Sequence, residues 1–483
     1  MEYPKILPHW IENEEVYESG FFPKFNPATG KIIGSVPECG QSKTAVIVSA
    51  KISFKKWSET PVVQRGEILR RATQFMESRK QEAVEIVALE TGKSPKDAAG
   101  EVQAAIELGY FIAGEGRRFY GQTTTSAIPN RFAYTIRQPV GVCALITSFN
   151  TPIANAAWKA FPALLCGNTV IMKPSEYTPY TALWFAKILK EAGLPSGVFL
   201  VIQGNSQTGR FLVGNDEVDI VSFTGSAASG REIAEMAGKR LARVCLELGG
   251  KNPLIVCDDA DIDWAVECAV LSAFSNAGQR CSSASRIIVF SSVYEKFKQK
   301  MCDKTLALKI GPTDEEDLGP VISQKQHDQI LQSIRLDRPE KAEILTGGRH
   351  FNHPEFPDGY YIEPTIIEGA NPNSRISQKE LFGPVTCLYQ AENLPEATQL
   401  ANNSRFGLTG AIHSKNTHRI QYFIENYRAG LISVNGPTYG SEPHLPFGGL
   451  RDSGNGWREP GTQALDAYSE WKTVYKKSDP HLI

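Results

Sequence analysis

The sequence predicts an α/β protein of more than one domain. Three observations carry this reading. The chain has 483 residues, too many for one ordinary core. From residue 141 short apolar runs alternate with helix-length stretches, and a second such region begins near residue 249.

Taken in order, "MEYPKILPHWIENEEVYESG" reads as an ordinary folded edge without the charged-then-apolar pattern of a secretory signal. Residues 61–92 place apolar side chains at helical intervals and end at a glycine, which predicts one or two long amphipathic helices. "AGEVQAAIELGYFIAGE" predicts a further helix. Residues 120–139 are Thr-rich, roughly alternating and broken by "IPN", as in a hairpin or extended arm. Beyond 141, "VCALITSF", "TVIMKP", "VFLVIQG" and "IVSFTG" are each followed by a helix-like stretch, implying parallel βαβ units. Ligands bind beyond the carboxyl ends of such strands, and those ends carry Asn150, Lys173, Glu176, Gly204 and the Thr224-Gly225-Ser226 turn. The second α/β region runs to about 446. The closing "DAYSEWKTVYKK" alternates aromatic and polar residues like an edge strand and, with 120–139, is a candidate for intersubunit pairing. The expected division is therefore 1–119 with 140–248, then 249–446, with 120–139 and 447–483 as arm and C-terminal segment.

Composition narrows the function. A net charge of −2 gives no basic field for nucleic acid or anionic membrane, and no apolar run spans a bilayer. The nine cysteines are scattered and odd in number, and the eight histidines lack metal spacing. A reducing, cytoplasmic setting without a disulfide framework or metal centre is expected.

Four stretches bear chemistry. "GSAASG" (225–230) has the spacing of a phosphate loop, but Arg231 and Glu232 follow where a nucleoside triphosphatase needs Lys and Ser or Thr. What remains is a turn opening a helix, suited to a pyrophosphate or simply a tight βα turn. Lys173 and Glu176 in "VIMKPSEYTP" are placed either to bond ribose hydroxyls or to stand in a solvated loop. Glu247 in "CLELGGKNP" lies among apolar residues. Burial raises a carboxyl pKa and suits it to general-base work, the alternative being a buried pair with Arg243. Cys281 in "NAGQRCSSASR" stands between Arg280 and small polar residues, unlike Cys257 in the apolar "PLIVCDD". A neighbouring cation or helix N-terminus can lower a thiol pKa from about 8.5, and no histidine lies nearby in sequence.

Together these segments resemble the aldehyde dehydrogenase superfamily. The resemblance runs from "FNPATGKIIG" at 25 to "EWKTVY" near the end. It is carried in order by "SFN" with "WK", "PALLCGNTVIMKPSE", "FTGS", "LELGGKNP", "GQRCSSASR", "ELFGPV" and "PFGGLRDSGNGWRE". It implies an aldehyde dehydrogenase-like α/β fold with a Rossmann-type cofactor domain, an α/β catalytic domain and a β oligomerisation arm. A homodimer or homotetramer follows from that arm.

The resemblance also implies a mechanism. Cys281 as thiolate attacks the aldehyde, and the Asn150 amide with the Cys281 N–H stabilises the oxyanion. Hydride passes to NAD, leaving a thioester, and Glu247 activates the water that hydrolyses it. Lys173 and Glu176 hold the adenosine ribose, Ser226 sits by the pyrophosphate, and Glu380 binds the nicotinamide ribose beside Phe382. The implied cofactor wall continues through Ile146, Thr147, Ser148 and Phe149, through Gly204, Thr224 and Gly225, and through Leu248 and Gly249. Branches that transfer the acyl group to coenzyme A tend to lack a glutamate at Glu247, so hydrolysis is favoured. A non-catalytic relative would lack Cys281, Asn150 or Glu247. The Glu176 carboxylate repels a 2'-phosphate, so NAD is expected over NADP.

Phe149 replaces the more common tryptophan of "PWN". Trp158 stands where succinate-semialdehyde members carry arginine, which disfavours that substrate. "GEVQ" (100–103), "GQRC" and "NGPTYGSE" (435–442) resemble the branch oxidising α-aminoadipic semialdehyde. Carried over, Arg280 and Glu101 contact a polar or carboxylated aldehyde. The alternatives are an internal ion pair for Arg280 and a helix cap for Glu101. Trp158, Phe274 and Phe149 suggest a partly apolar pocket, with Ser282 beside the cysteine.

Overall fold

The computed structural model describes residues 4–479. The first three and last four residues, assigned above to the cofactor domain and the C-terminal segment, lie outside the described residues. Two seven-stranded sheets organise them. The first runs Arg243–Glu247, Ile220–Thr224, Val142–Ile146, Thr169–Lys173, Phe199–Val201, His9–Ile11 and Glu14–Val16. Its first five strands are parallel and the N-terminal hairpin is added antiparallel. Helices cover both faces, so Val142–Ile146 and Thr169–Lys173 are buried at every position, and this is why they read as unbroken apolar runs.

Strand order reverses between Val142–Ile146 and Ile220–Thr224. That reversal leaves a crevice at the carboxyl ends, where Thr147 to Asn150 and Thr224 to Ser226 emerge. Residues 61–92 form two helices, Val62–Ser78 and Lys80–Thr91, parted at Arg79, whose backbone is not helical. The second ends where Gly92 takes a left-handed φ of 74°.

The second sheet runs Glu343–Thr346, Thr365–Glu368, Val385–Ala391, Ala284–Phe290, Asn252–Val256, Thr409–His413 and Leu431–Val434, parallel except at its first pair. Its strands Asn252–Val256 and Ala284–Phe290 begin just after the Gly249-Gly250 pair and the Cys281 turn. The amino ends of these strands therefore face the carboxyl ends of the first sheet.

A separate three-stranded sheet pairs Ser469–Lys477 along its whole length with Arg131–Pro139, with Thr123–Thr124 on the far side. Between the second sheet and this arm, residues 447–468 thread back across the first sheet. There Gly454 bridges Glu247, and Glu459 is buried. The arm is rooted by Asn168, which is fully buried. Its Oδ1 accepts from Val140 N and Gly141 N at 2.8 and 2.9 Å, and its Nδ2 donates to Ala163 O and Tyr468 O at 3.0 and 2.8 Å.

Asn168→Ala takes the side-chain partner from Val140 N, Gly141 N and Tyr468 O and is expected to cost about 3 kcal/mol. It should lower the midpoint of chemical unfolding, and an unchanged midpoint would remove Asn168 as the anchor of the arm.

Candidate active site

A cavity of about 1210 Å³ opens at the crevice between the sheets. Asn150, Glu247 and Cys281 all line it, as do Arg280, Trp158, Lys173, Glu176 and Glu380. Of the residues selected from sequence, two lie off its wall. Phe274 is 2% exposed and packs in the core under the second sheet, because it sits on the inner face of helix Ile262–Phe274. Gly204, at φ +134°, closes its turn against Thr208, where a Cβ would come within 2.2 Å of Oγ1.

Glu247 ends its strand 7% exposed, and neither carboxylate oxygen has a hydrogen-bond partner among the described residues. Burial first, then the charge of Glu459, pushes its pKa well up, with Lys159 and Arg458 working the other way. The pairing with Arg243 does not form. That guanidinium donates to Ala467 O and Ser469 O at 3.0 and 2.9 Å and meets Glu470. Behind Glu247, the fully buried Lys159 donates to Glu459 and to Ser222 Oγ, each at 2.8 Å. Ser222 and Tyr468 hydroxyls donate to the same Glu459 at 2.9 and 3.2 Å. This set escaped the sequence reading. Its signal was Lys159, a single charge in the apolar helix "PIANAAWKAFPALL", which burial obliges to find a partner.

Cys281 is half-buried on the turn that enters strand Ala284–Phe290. Burial of the thiol, then Glu247 and Glu380, push its pKa up to about 12, while Arg280 pulls it down. Burial therefore favours the thiol over the thiolate. Asn150 is aimed by its surroundings. Its Oδ1 accepts from the Ser148 hydroxyl, which leaves the Nδ2 hydrogens for the cavity. Its backbone carbonyl accepts from Lys93 Nζ at 2.8 Å and Asn276 Nδ2 at 3.3 Å.

Glu101 lines the cavity, but both carboxylate oxygens are engaged. One pairs with Lys93 at 2.7 Å, and the other accepts from Ile153 N and Ala154 N at 2.9 and 3.4 Å, at the start of helix Pro152–Leu165. The helix-cap alternative is the arrangement observed, although the helix is the neighbouring one. Arg280 differs. Its Nε donates to Ser275 Oγ at 3.3 Å and its guanidinium lies 4.9 Å from the Tyr439 ring centre. Among the described residues it forms no ion pair. Trp158 and Phe447 pair their rings at 5.4 Å along the same wall.

The other end of the cavity has the donor set of a dinucleotide site. Lys173, buried, donates to Pro174 O at 2.9 Å and stands 3.7 Å from the half-exposed Glu176, a cation and an anion suited to a ribose diol. Helix Ala227–Gly238 points its N-terminus inward with Ser226 as cap, leaving amides for a pyrophosphate. Glu380 accepts from Gly250 N at 3.0 Å, and burial pushes it up to about 7. A Cβ on Gly249 would come within 1.8 Å of that carboxylate, so a side chain there would displace the Glu380 carboxylate. Phe382, at a strained φ of 55°, packs edge-on against Phe149. The cavity volume exceeds that of a site for one small ligand, roughly 300–1,000 Å³, and the residues fit a dinucleotide with a small substrate beside Cys281.

Comparison with known proteins agrees. The aldehyde dehydrogenase family profile matches residues 10–474. Alpha-ketoglutarate semialdehyde dehydrogenase of Haloferax volcanii is 37% identical over 469 residues, covering 96% of this chain and 97% of that one. Alpha-ketoglutaric semialdehyde dehydrogenase of Bacillus subtilis is 37% identical over 482 residues, covering 98% and 97%. The crystal structure of betaine aldehyde dehydrogenase from Staphylococcus aureus in complex with NAD+ matches with a TM-score of 0.95 at 32% identity, over 98% of this chain and 95% of that one.

Proposed function

The chain belongs to the aldehyde dehydrogenase family, and we propose that it oxidises a carboxylated semialdehyde to the corresponding acid. One observation carries the choice of substrate: Arg280, next to the nucleophile, faces the cavity without an ion pair among the described residues. A guanidinium so placed takes a carboxylate in paired hydrogen bonds. The semialdehyde dehydrogenases among the relatives support the same class. A quaternary ammonium aldehyde, as named for the betaine relatives, would find the Trp158 and Phe447 rings. Arg280 already covers the Tyr439 face with positive charge and repels it.

Cys281 forms the bond to the aldehyde carbon. Its thiol proton has an acceptor in the unpartnered Glu247 carboxylate once that group is ionised. The Asn150 Nδ2 and the Cys281 N–H meet the oxyanion, each donor worth about 3 kcal/mol. NAD, when bound along Lys173, Glu176, Ser226 and Glu380, supplies the hydride acceptor. Glu247 passes the thiol proton to solvent, then takes one from the water that releases the acid and returns it to the Cys281 sulfur. Its buried carboxyl holds a proton well above the ordinary range, so the base form grows as pH rises.

The first sheet with its helices serves as the cofactor domain and the second as the catalytic domain. The three-stranded sheet is the arm that meets a second copy. It exposes Phe132 and Ile136 on one face and Trp471 and Tyr475 on the other, beside a free strand edge. A cytoplasmic setting is supported by nine cysteines, all unpaired.

Five outcomes are expected. NADH formation should favour ω-carboxylated aldehydes over alkyl and trimethylammonium ones of equal length. Arg280→Gln should raise KM for the carboxylated set about 10- to 100-fold, and a wild-type preference for the other aldehydes would sink the substrate reading. Glu247→Gln should slow the first turnover, because the Cys281 thiol loses its proton acceptor, and lose about 100-fold or more of the steady rate. The wild-type hydrolysis step should rise with pH through a midpoint above the ordinary carboxyl range, and a flat profile would reject Glu247 as base. Phe132→Lys with Ile136→Lys should reduce the light-scattering mass to that of a smaller assembly, whereas an unchanged mass would place the interface elsewhere.

A further inference from the structure

The turn bearing Cys281 is held by its carbonyls. Asn252 Nδ2 donates to Cys281 O at 2.7 Å and to Ser283 O at 2.9 Å, and Asn252 Oδ1 accepts from Thr409 N at 3.1 Å. The carbonyl between them, Ser282 O, accepts from Thr438 Oγ1 at 2.6 Å. The preceding carbonyl, Arg280 O, accepts from Ser283 N at 3.1 Å. Four successive carbonyls are thus fixed, two of them by one buried amide on the first residue of a central strand. Gly250 leaves the space for this, since a Cβ there would lie 2.5 Å from Cys281 O and 2.6 Å from Asn252 Oδ1.

In a trans peptide the N–H points opposite to the carbonyl of the same unit. Holding Arg280 O and Cys281 O fixes the peptide planes on both sides of Cys281. The direction of the Cys281 N–H is therefore set before any substrate arrives, and no reorganisation is needed when negative charge develops.

We propose that Asn252, assisted by Thr438, is a positioning residue that aims the Cys281 N–H at the oxyanion. Neither side chain touches substrate. Asn252 is 2% and Thr438 4% exposed, and neither lines the cavity. The inference rests on the reading of Cys281 as nucleophile.

The test compares two reactions of the same thiol without cofactor. An activated aryl ester acylates Cys281 through a tetrahedral oxyanion: the S–C bond forms, the C–O bond breaks and the phenolate leaves. Iodoacetamide alkylates the same sulfur by displacing iodide, with no oxyanion. For Asn252→Ala the ratio of acylation to alkylation rate constants should fall about tenfold or more. For Thr438→Val, which keeps the fold if the first variant does not, it should fall about threefold. First-turnover NADH formation should slow in step, with amplitude retained and KM little changed. Equal losses in both thiol reactions, or a smaller amplitude at an unchanged rate constant, would mean that these residues only support the fold and would overturn the proposal. A wild-type protein not acylated at Cys281 would overturn the nucleophile reading itself.

Discussion

A carboxyl group buried without a hydrogen-bond partner is expensive to ionise, and Glu247 is such a group. The rest of the site is arranged around that constraint. Glu247 ends a strand of the first sheet close to where the second sheet begins, so it lines the same cavity as the cysteine turn. Beneath it, Lys159 and Glu459 form a closed ion pair that Ser222 and Tyr468 complete with hydrogen bonds. Being paired, those charges stay in place and set the potential that Glu247 feels. Glu459 opposes its ionisation and Lys159 favours it.

The side proposed for the oxyanion follows a different physical rule. There the groups are neutral donors, and what matters is their direction. Lys93 and Asn276 hold the Asn150 carbonyl, Ser148 orients its amide, and Asn252 with Thr438 holds the turn of Cys281. Glu101 belongs to this support. It neutralises Lys93 and ties it to the first amides of the helix that follows Asn150. A charged residue on a cavity wall is thus no evidence of a ligand contact until its own partners are known. By that criterion Glu101 is engaged and Arg280 is available.

Elements with a strong local period were legible. The apolar runs at 142–146, 169–173 and 220–224 are strands, and the helical periodicity of 61–92 is realised as two helices, with the break at Arg79 not marked by any glycine or proline. The arm strands 131–139 and 469–477 showed as alternation, although their mutual pairing spans more than 300 residues and left no local trace. Phe274 was misplaced because a helix has an inner and an outer face, and its position near Cys281 in sequence does not say which one it occupies.

By itself the sequence determined the main alternation of strands and helices and the motifs that mark the family, and it put forward Cys281, Asn150 and Glu247 as candidates, because these depend on residue type and local spacing. Only the tertiary structure decided which charges are satisfied. The partners of Arg243, Lys159 and Asn252, and the helix amides that Glu101 accepts from, come from segments far away in the chain, and a hydrogen bond is a matter of distance and angle in space, which residue order does not specify.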